Sequence, residues 1–124
     1  MKNVAHMMLS VLVATVSLAF VPRTAGAQDM VKVAPKNCKV LLDNDRVRVM
    51  RVVMKPGEKL DMHSHPAYIL YSFTAGKAKF TSADGKSEER ESKAGQTTWS
   101  ESVTHSSENV GTAENRALLI ELKK

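Results

Sequence analysis

Very little in this chain could staple or brace a fold. It has one cysteine, Cys38, so no intramolecular disulfide can form. Cys38 opens the apolar stretch "CKVLL", where a free thiol is either buried or paired with a second chain, and burial is the expectation. Aromatics are scarce: one tryptophan, two tyrosines and three phenylalanines in 124 residues. Arg46, Arg48 and Arg51 cluster in "RVRVMR", but no aromatic stacking platform accompanies them. They therefore read as a solvated strand face, and a nucleic-acid partner is not expected. No segment keeps a helical apolar period over ten or more residues, which argues against an all-α or α/β architecture.

The only long apolar run lies at the start. Lys2 supplies a positive beginning, Met7 to Val21 is almost uninterruptedly apolar, and "AGA" at Ala25–Ala27 has the small residues a signal peptidase requires. The run is short for a membrane span. It implies an export signal over 1–27, no stable membrane anchor, a periplasmic or secreted location, and Gln28 as the first mature residue. Removal of Lys2 and Arg23 leaves 16 of the 18 basic residues against 13 acidic ones, a weak positive bias. The remaining length suits one small domain that stands on packing, helped by a metal or by oligomerisation.

After residue 37 the chain punctuates itself at short intervals. "CKVLLD" stops at "DND", "RVRVMRVVMK" at Pro56–Gly57, "AYILYSFTA" at Gly76, and "KAKFTS" at "ADGK", whose Asp84–Gly85 favours a hairpin. "SEERES" is polar throughout and reads as an edge strand. Residues 28–37 show no pattern and read as a flexible arm; 38–124 read as a single all-β domain, about eight short strands in an antiparallel jelly-roll barrel.

Histidine is scarce too, and its placement carries the functional signal. Of four in the chain, His6 lies in the leader, and "MHSHP" puts His63 and His65 one residue apart. Residues i and i+2 of a strand share a face roughly 6–7 Å apart, so two imidazoles can lean onto one metal ion. Two solvated histidines on a loop are the bland alternative. His105 is the remaining candidate ligand, on a later strand.

The surrounding spacing resembles the cupin superfamily. Gly57, five residues, His63-Ser-His65, three residues, Ile69, six residues and Gly76 repeat the spacing of its first motif, with isoleucine where the motif has glutamate. "GQTTWSESVTHSSEN" offers Gly95, His105 and Asn109 for the second motif, one residue short and without its proline and glycine. The resemblance spans about residues 40–122. It implies a jelly-roll barrel, also called a double-stranded β-helix, with His63, His65 and His105 as ligands to a divalent transition metal (Fe, Zn, Cu, Ni or Mn). It also implies a possible homodimer. Strand parity carried past Pro66 places Ile69 beside the metal, where it supplies no charge. An ion held by imidazoles alone keeps its +2 charge, so a small anionic ligand is expected. Tyr71, Trp99 and Asn109 are further pocket candidates, and Asp61 and Glu101 candidate carboxylates behind the ligands. For Tyr68, Tyr71, Phe73 and Trp99, core packing is the plainer role. Two functions follow: a metal-dependent enzyme acting on a small anion, or a non-catalytic protein that binds a metal or small ligand.

Overall fold

The structure, a computed structural model, describes residues 28–124; the expected leader lies outside the described residues. A single helical turn, α1 (Met30–Val33), precedes nine strands: β1 (Cys38–Asp43), β2 (Val47–Met54), β3 (Lys59–His65), β4 (Tyr68–Ser72), β5 (Gly76–Ser82), β6 (Ser87–Ser92), β7 (Thr97–Ser100), β8 (Val103–Asn109) and β9 (Asn115–Leu122). They form two antiparallel sheets, ordered β1-β2-β9-β4-β7 and β3-β8-β5-β6. Successive strands from β2 to β9 switch between the sheets, apart from the β5–β6 hairpin. That is the jelly-roll pattern expected from the turn spacing.

Turn chemistry explains the punctuation. The Glu58 amide donates to the Lys55 carbonyl at 3.0 Å, and Gly57 sits at φ 81°, so Lys55–Glu58 is a type II turn with proline and glycine in their favoured places. It feeds β3, the strand that carries two of the histidines. Gly76 has a packing reason instead: a side-chain carbon there would lie 1.8 Å from Asn115 Oδ1. "SEERES" forms β6, exposed at the edge of the four-stranded sheet, as its polarity implies.

The core lies between the sheets. Met50, Val52 and Met54 come from β2, Leu60 from β3, Tyr68 from β4 and Leu119 from β9, with Cys38 beside them. Burial pushes the Cys38 thiol up to about 11, against no disulfide partner, so it packs as a small apolar group.

Two expectations about the chain's periphery need correction. Residues 28–37 are not a loose arm: Met30 and Ala34 are buried in the core cluster, and Asp29 caps α1 by accepting the Val31 amide at 2.8 Å. The apolar pair Met30 and Ala34 is spaced four apart, but four helical residues are too few to register as a period. Arg48 is also not solvated. It shares the inward parity of Met50 and Val52, and its side chain is only 16 % exposed because two carboxylates receive it.

Candidate metal centre

β3 and β8 are neighbours, and their register sets His63 directly opposite His105. His65 follows two residues later on the same face. All three are buried, and one ligand nitrogen from each lies within 4.8 Å of the others. The register also contains a bulge: β3 takes three steps from Leu60 to His63 where β8 takes two from Ser107 to His105. Leu60 and His63 therefore both face the interior although they are an odd number of residues apart.

The far side of two rings is held. His63 Nδ1 lies 2.6 Å from the Asp61 carbonyl, which the bulge turns toward it, and His65 Nδ1 lies 2.7 Å from Glu121 Oε1. Both oxygens are acceptors, so both rings carry their proton on Nδ1. That leaves each Nε2 with a free lone pair for a metal. The arrangement fits a transition metal in donor type, tautomer and proximity. The Asp61 carbonyl does this work; its carboxylate, the sequence-based candidate, is on an exposed residue.

Charge behind the site runs in a line. Glu121 Oε2 accepts from Arg48 Nε at 2.8 Å, and the other arm of Arg48 reaches Asp29 Oδ2 at 2.6 Å. Burial disfavours the Asp29 charge, but the Arg48 guanidinium and the Val31 amide outweigh it and hold the carboxyl below its usual range. Glu121 was missed in the sequence, although a single acid within "ALLIEL", two residues after Leu119, was the signal available.

Burial lowers the basicity of His63, against the pull of the Asp61 carbonyl, and His65 lowers it further. His105 is pushed down to about 3 by burial, then by His63, His65 and Arg90. Both rings are therefore neutral near pH 7, the form that binds metal. In the metal-free protein the same shift has a stability consequence. Between the unfolded value of 6.5 and about 3, the unfolded chain takes up a proton that folded His105 refuses, so stability falls as pH falls through that window. Urea unfolding of the parent and of His105→Gln at neutral pH and at about pH 4.5 checks this. The parent should lose more stability than the variant on acidification; parallel losses would contradict it.

A cavity of about 400 Å³ opens onto the histidines, walled by Met54, Leu60, Leu70, Phe80 and Leu119 and edged by polar groups including Arg90. Arg90 lies over the Phe80 ring at 5.2 Å, and Phe80 lies 5.2 Å from the His105 ring. Among the phenylalanine, tyrosine and tryptophan side chains of the described residues only Tyr68 is buried, against His65 with ring centres 4.9 Å apart.

Three pocket candidates fall elsewhere. Pro66 and Ala67 end β3, and the chain restarts as β4 in the other sheet, where Tyr68, Leu70 and Ser72 line the cavity. Ile69 and Tyr71 therefore point away from it. Tyr71 stacks on Phe73 at 5.2 Å, and both are exposed. Asn109 shares the His105 face as expected, but its amide is spent on backbone: Nδ2 donates to the Met54 and Ala113 carbonyls at 2.9 Å, and Oδ1 accepts the Gly111 amide at 3.0 Å. Trp99 borders the cavity mouth, 55 % exposed, with its indole N–H on Glu101, which is thereby a surface partner and not a group behind the ligands.

No family model matches the chain, and no curated protein does. Solved structures do. A cupin domain from Bordetella pertussis Tohama I is 27 % identical over 70 % of this chain and 92 % of its own, with a TM-score of 0.65. An RmlC-like cupin with a double-stranded β-helix fold from Methanocaldococcus jannaschii is 15 % identical over 69 % and 78 %, at 0.57. An oxalate decarboxylase is 22 % identical over 71 % of this chain but 26 % of its own, at 0.53. Strand order, paired histidines and these likenesses agree, and the chain belongs to the cupin superfamily.

Proposed function

We propose that this protein is an exported metalloprotein that holds one divalent transition metal on His63, His65 and His105 and uses it to act on a small anionic molecule. The observation that carries the reading is the convergence of three buried imidazoles, two with Nδ1 tied back, at the floor of a cavity large enough for a small molecule. Neutral imidazoles leave the ion's charge uncompensated, and the apolar walls strengthen its field, so a carboxylate, enolate or thiolate would be drawn in. When bound, such an ion supplies Lewis acidity to whatever donor fills its open positions. The chain's own residues do the rest. Asp61 and Glu121 keep the ligand rings oriented, Leu60, Leu70 and Leu119 exclude water, and Arg90 offers a second contact to an anion. Its present partner Glu88 is an exposed acid, and such surface pairs hold weakly enough to exchange.

A non-catalytic binding protein is the second reading. It is favoured by one feature: Glu121, the carboxylate in contact with a ligand histidine, is committed to Arg48 and so is not free to move a proton.

The mature protein, purified without a histidine tag, should contain about one transition metal ion per chain by elemental analysis. Titrated with small carboxylates and thiols, the loaded protein should bind one class, and Arg90→Gln should weaken that binding by about tenfold while the metal stays. A protein that neither retains nor takes up Fe(II), Zn, Cu, Ni or Mn would refute the proposal. Turnover of the bound anion decides between the two readings.

A further inference from the structure

The segment that precedes the barrel is wired into the metal centre. β3 is an edge strand of its sheet, and its open side is met by residues 28 and 29: the Ser64 amide, between the two ligand histidines, donates to the Gln28 carbonyl at 2.9 Å, and Asp29 pairs with Ser64 in a parallel bridge. Met30, buried next to this bridge, forms part of the cavity wall. From Asp29 a continuous line of charged contacts runs inward. Asp29 Oδ2 meets Arg48 at 2.6 Å, Arg48 Nε meets Glu121 Oε2 at 2.8 Å, and Glu121 Oε1 meets His65 Nδ1 at 2.7 Å.

We propose that residues 28–34 form a strap that assembles the metal centre, with Asp29 as a positioning residue for His65. The proposal rests on the metal reading above. Its logic is steric and electrostatic. Glu121 is almost fully buried, with a side chain 3 % exposed, and must be held by a cation to keep one oxygen on His65. Arg48 is that cation, but a guanidinium on a flexible stem faces Glu121 in a fixed pose only when its other edge is also engaged. Asp29 engages it. Without that contact the guanidinium regains rotamer freedom, the Glu121 carboxylate can turn, and His65 loses the acceptor that fixes its tautomer. The backbone bridge to Ser64 acts beside it, because it fixes the strand from which both ligands project.

Asp29→Asn isolates the charge contact. An asparagine keeps an Oδ1 to cap the Val31 amide, so α1 stays closed, while the carboxylate offered to Arg48 is gone. The full-length chain should be expressed and its mature form loaded with Zn(II), with affinity read by competition against a chromophoric chelator and ligand geometry by the visible spectrum of the Co(II)-loaded protein. Asp29→Asn should lower Zn(II) affinity by about tenfold and alter the Co(II) bands, and Asp29→Glu should restore most of both. In a Glu121→Gln background, Asp29→Asn should add little, because the line is already broken. Should Asp29→Asn bind Zn(II) like the parent with an unchanged Co(II) spectrum, or should the two substitutions simply add, the strap has no hold on the site and the proposal is wrong. If Asp29→Asn does not fold, Asp29→Glu set against the parent carries the comparison: a longer side chain that leaves the Co(II) spectrum unmoved but cuts affinity tenfold or more also overturns it. A parent that binds neither ion fails differently, since it removes the metal reading itself.

Discussion

Alanine at His63, His65 or His105 will each lower Zn(II) affinity by roughly a hundred- to a thousandfold. A structural zinc site contributes about 10–16 kcal/mol from some four ligands, so one imidazole corresponds to about 3–4 kcal/mol. The three should be comparable, because each offers one nitrogen to the same cluster and none is more than 7 % exposed. Stability gives an independent check. Added metal should raise the Tm of the parent through its preference for the folded state, and this gain should vanish in all three variants. Metal-free, His65→Ala should be less stable than the parent by about 1–3 kcal/mol, because it strands the buried Glu121 Oε1, so the metal-dependent gain in Tm is read against each variant's own metal-free value. If His105→Ala binds Zn(II) as the parent does, the pairing of His63 with His105 is not a metal site, and the resemblance in the degenerate second motif has misled.

The features legible in the sequence were those with a short period or a local turn. "PG" and "DG" are turns because the φ values of Gly57 and Gly85 need glycine there, and His63 and His65 share a face because they are two apart on one strand, whereas the alternation in "RVRV" predicts a solvated arginine face and β2 turns Arg48 inward. What failed was parity carried across a break. The inference about Ile69 assumed one regular strand from 63 to 69. Pro66 cannot donate to a ladder, and the chain there leaves one sheet for the other, so the count restarts at Tyr68. The role given to a missing glutamate at 69 therefore falls, and the expectation of an anionic ligand rests on the ion's charge, the apolar walls and Arg90 instead. Long-range partners were equally out of reach. Arg48 and Glu121 are 73 positions apart and Asp29 precedes the barrel, so nothing local in "RVRVMR" distinguishes Arg48, which turns inward, from Arg46 and Arg51. Only the β2–β9 pairing, which sets Arg48 opposite Glu121, reveals it.

Asn109 carries the second large effect, and it separates architecture from chemistry. Its place four residues after His105 matches a motif position and invites a role at the pocket. Its side chain is instead 1 % exposed and ties three backbone groups: the end of β2 at Met54, and the turn before β9 at Gly111 and Ala113. Alanine there strands two carbonyls and one amide. Each unsatisfied buried group costs about 1–3 kcal/mol unless water reaches it. Allowing for water at the turn, the loss should be about 3 kcal/mol, a large part of the ~5–15 kcal/mol a domain of this size has in total. For a domain of under a hundred residues that corresponds to a fall in Tm of roughly 12–24 °C. Zn(II) affinity, measured well below the new Tm, should stay within about twofold of the parent, because none of the three bonds touches a histidine. The opposite result, intact stability with weakened metal or anion binding, would return Asn109 to the pocket and show that its amide faces the cavity in the working protein.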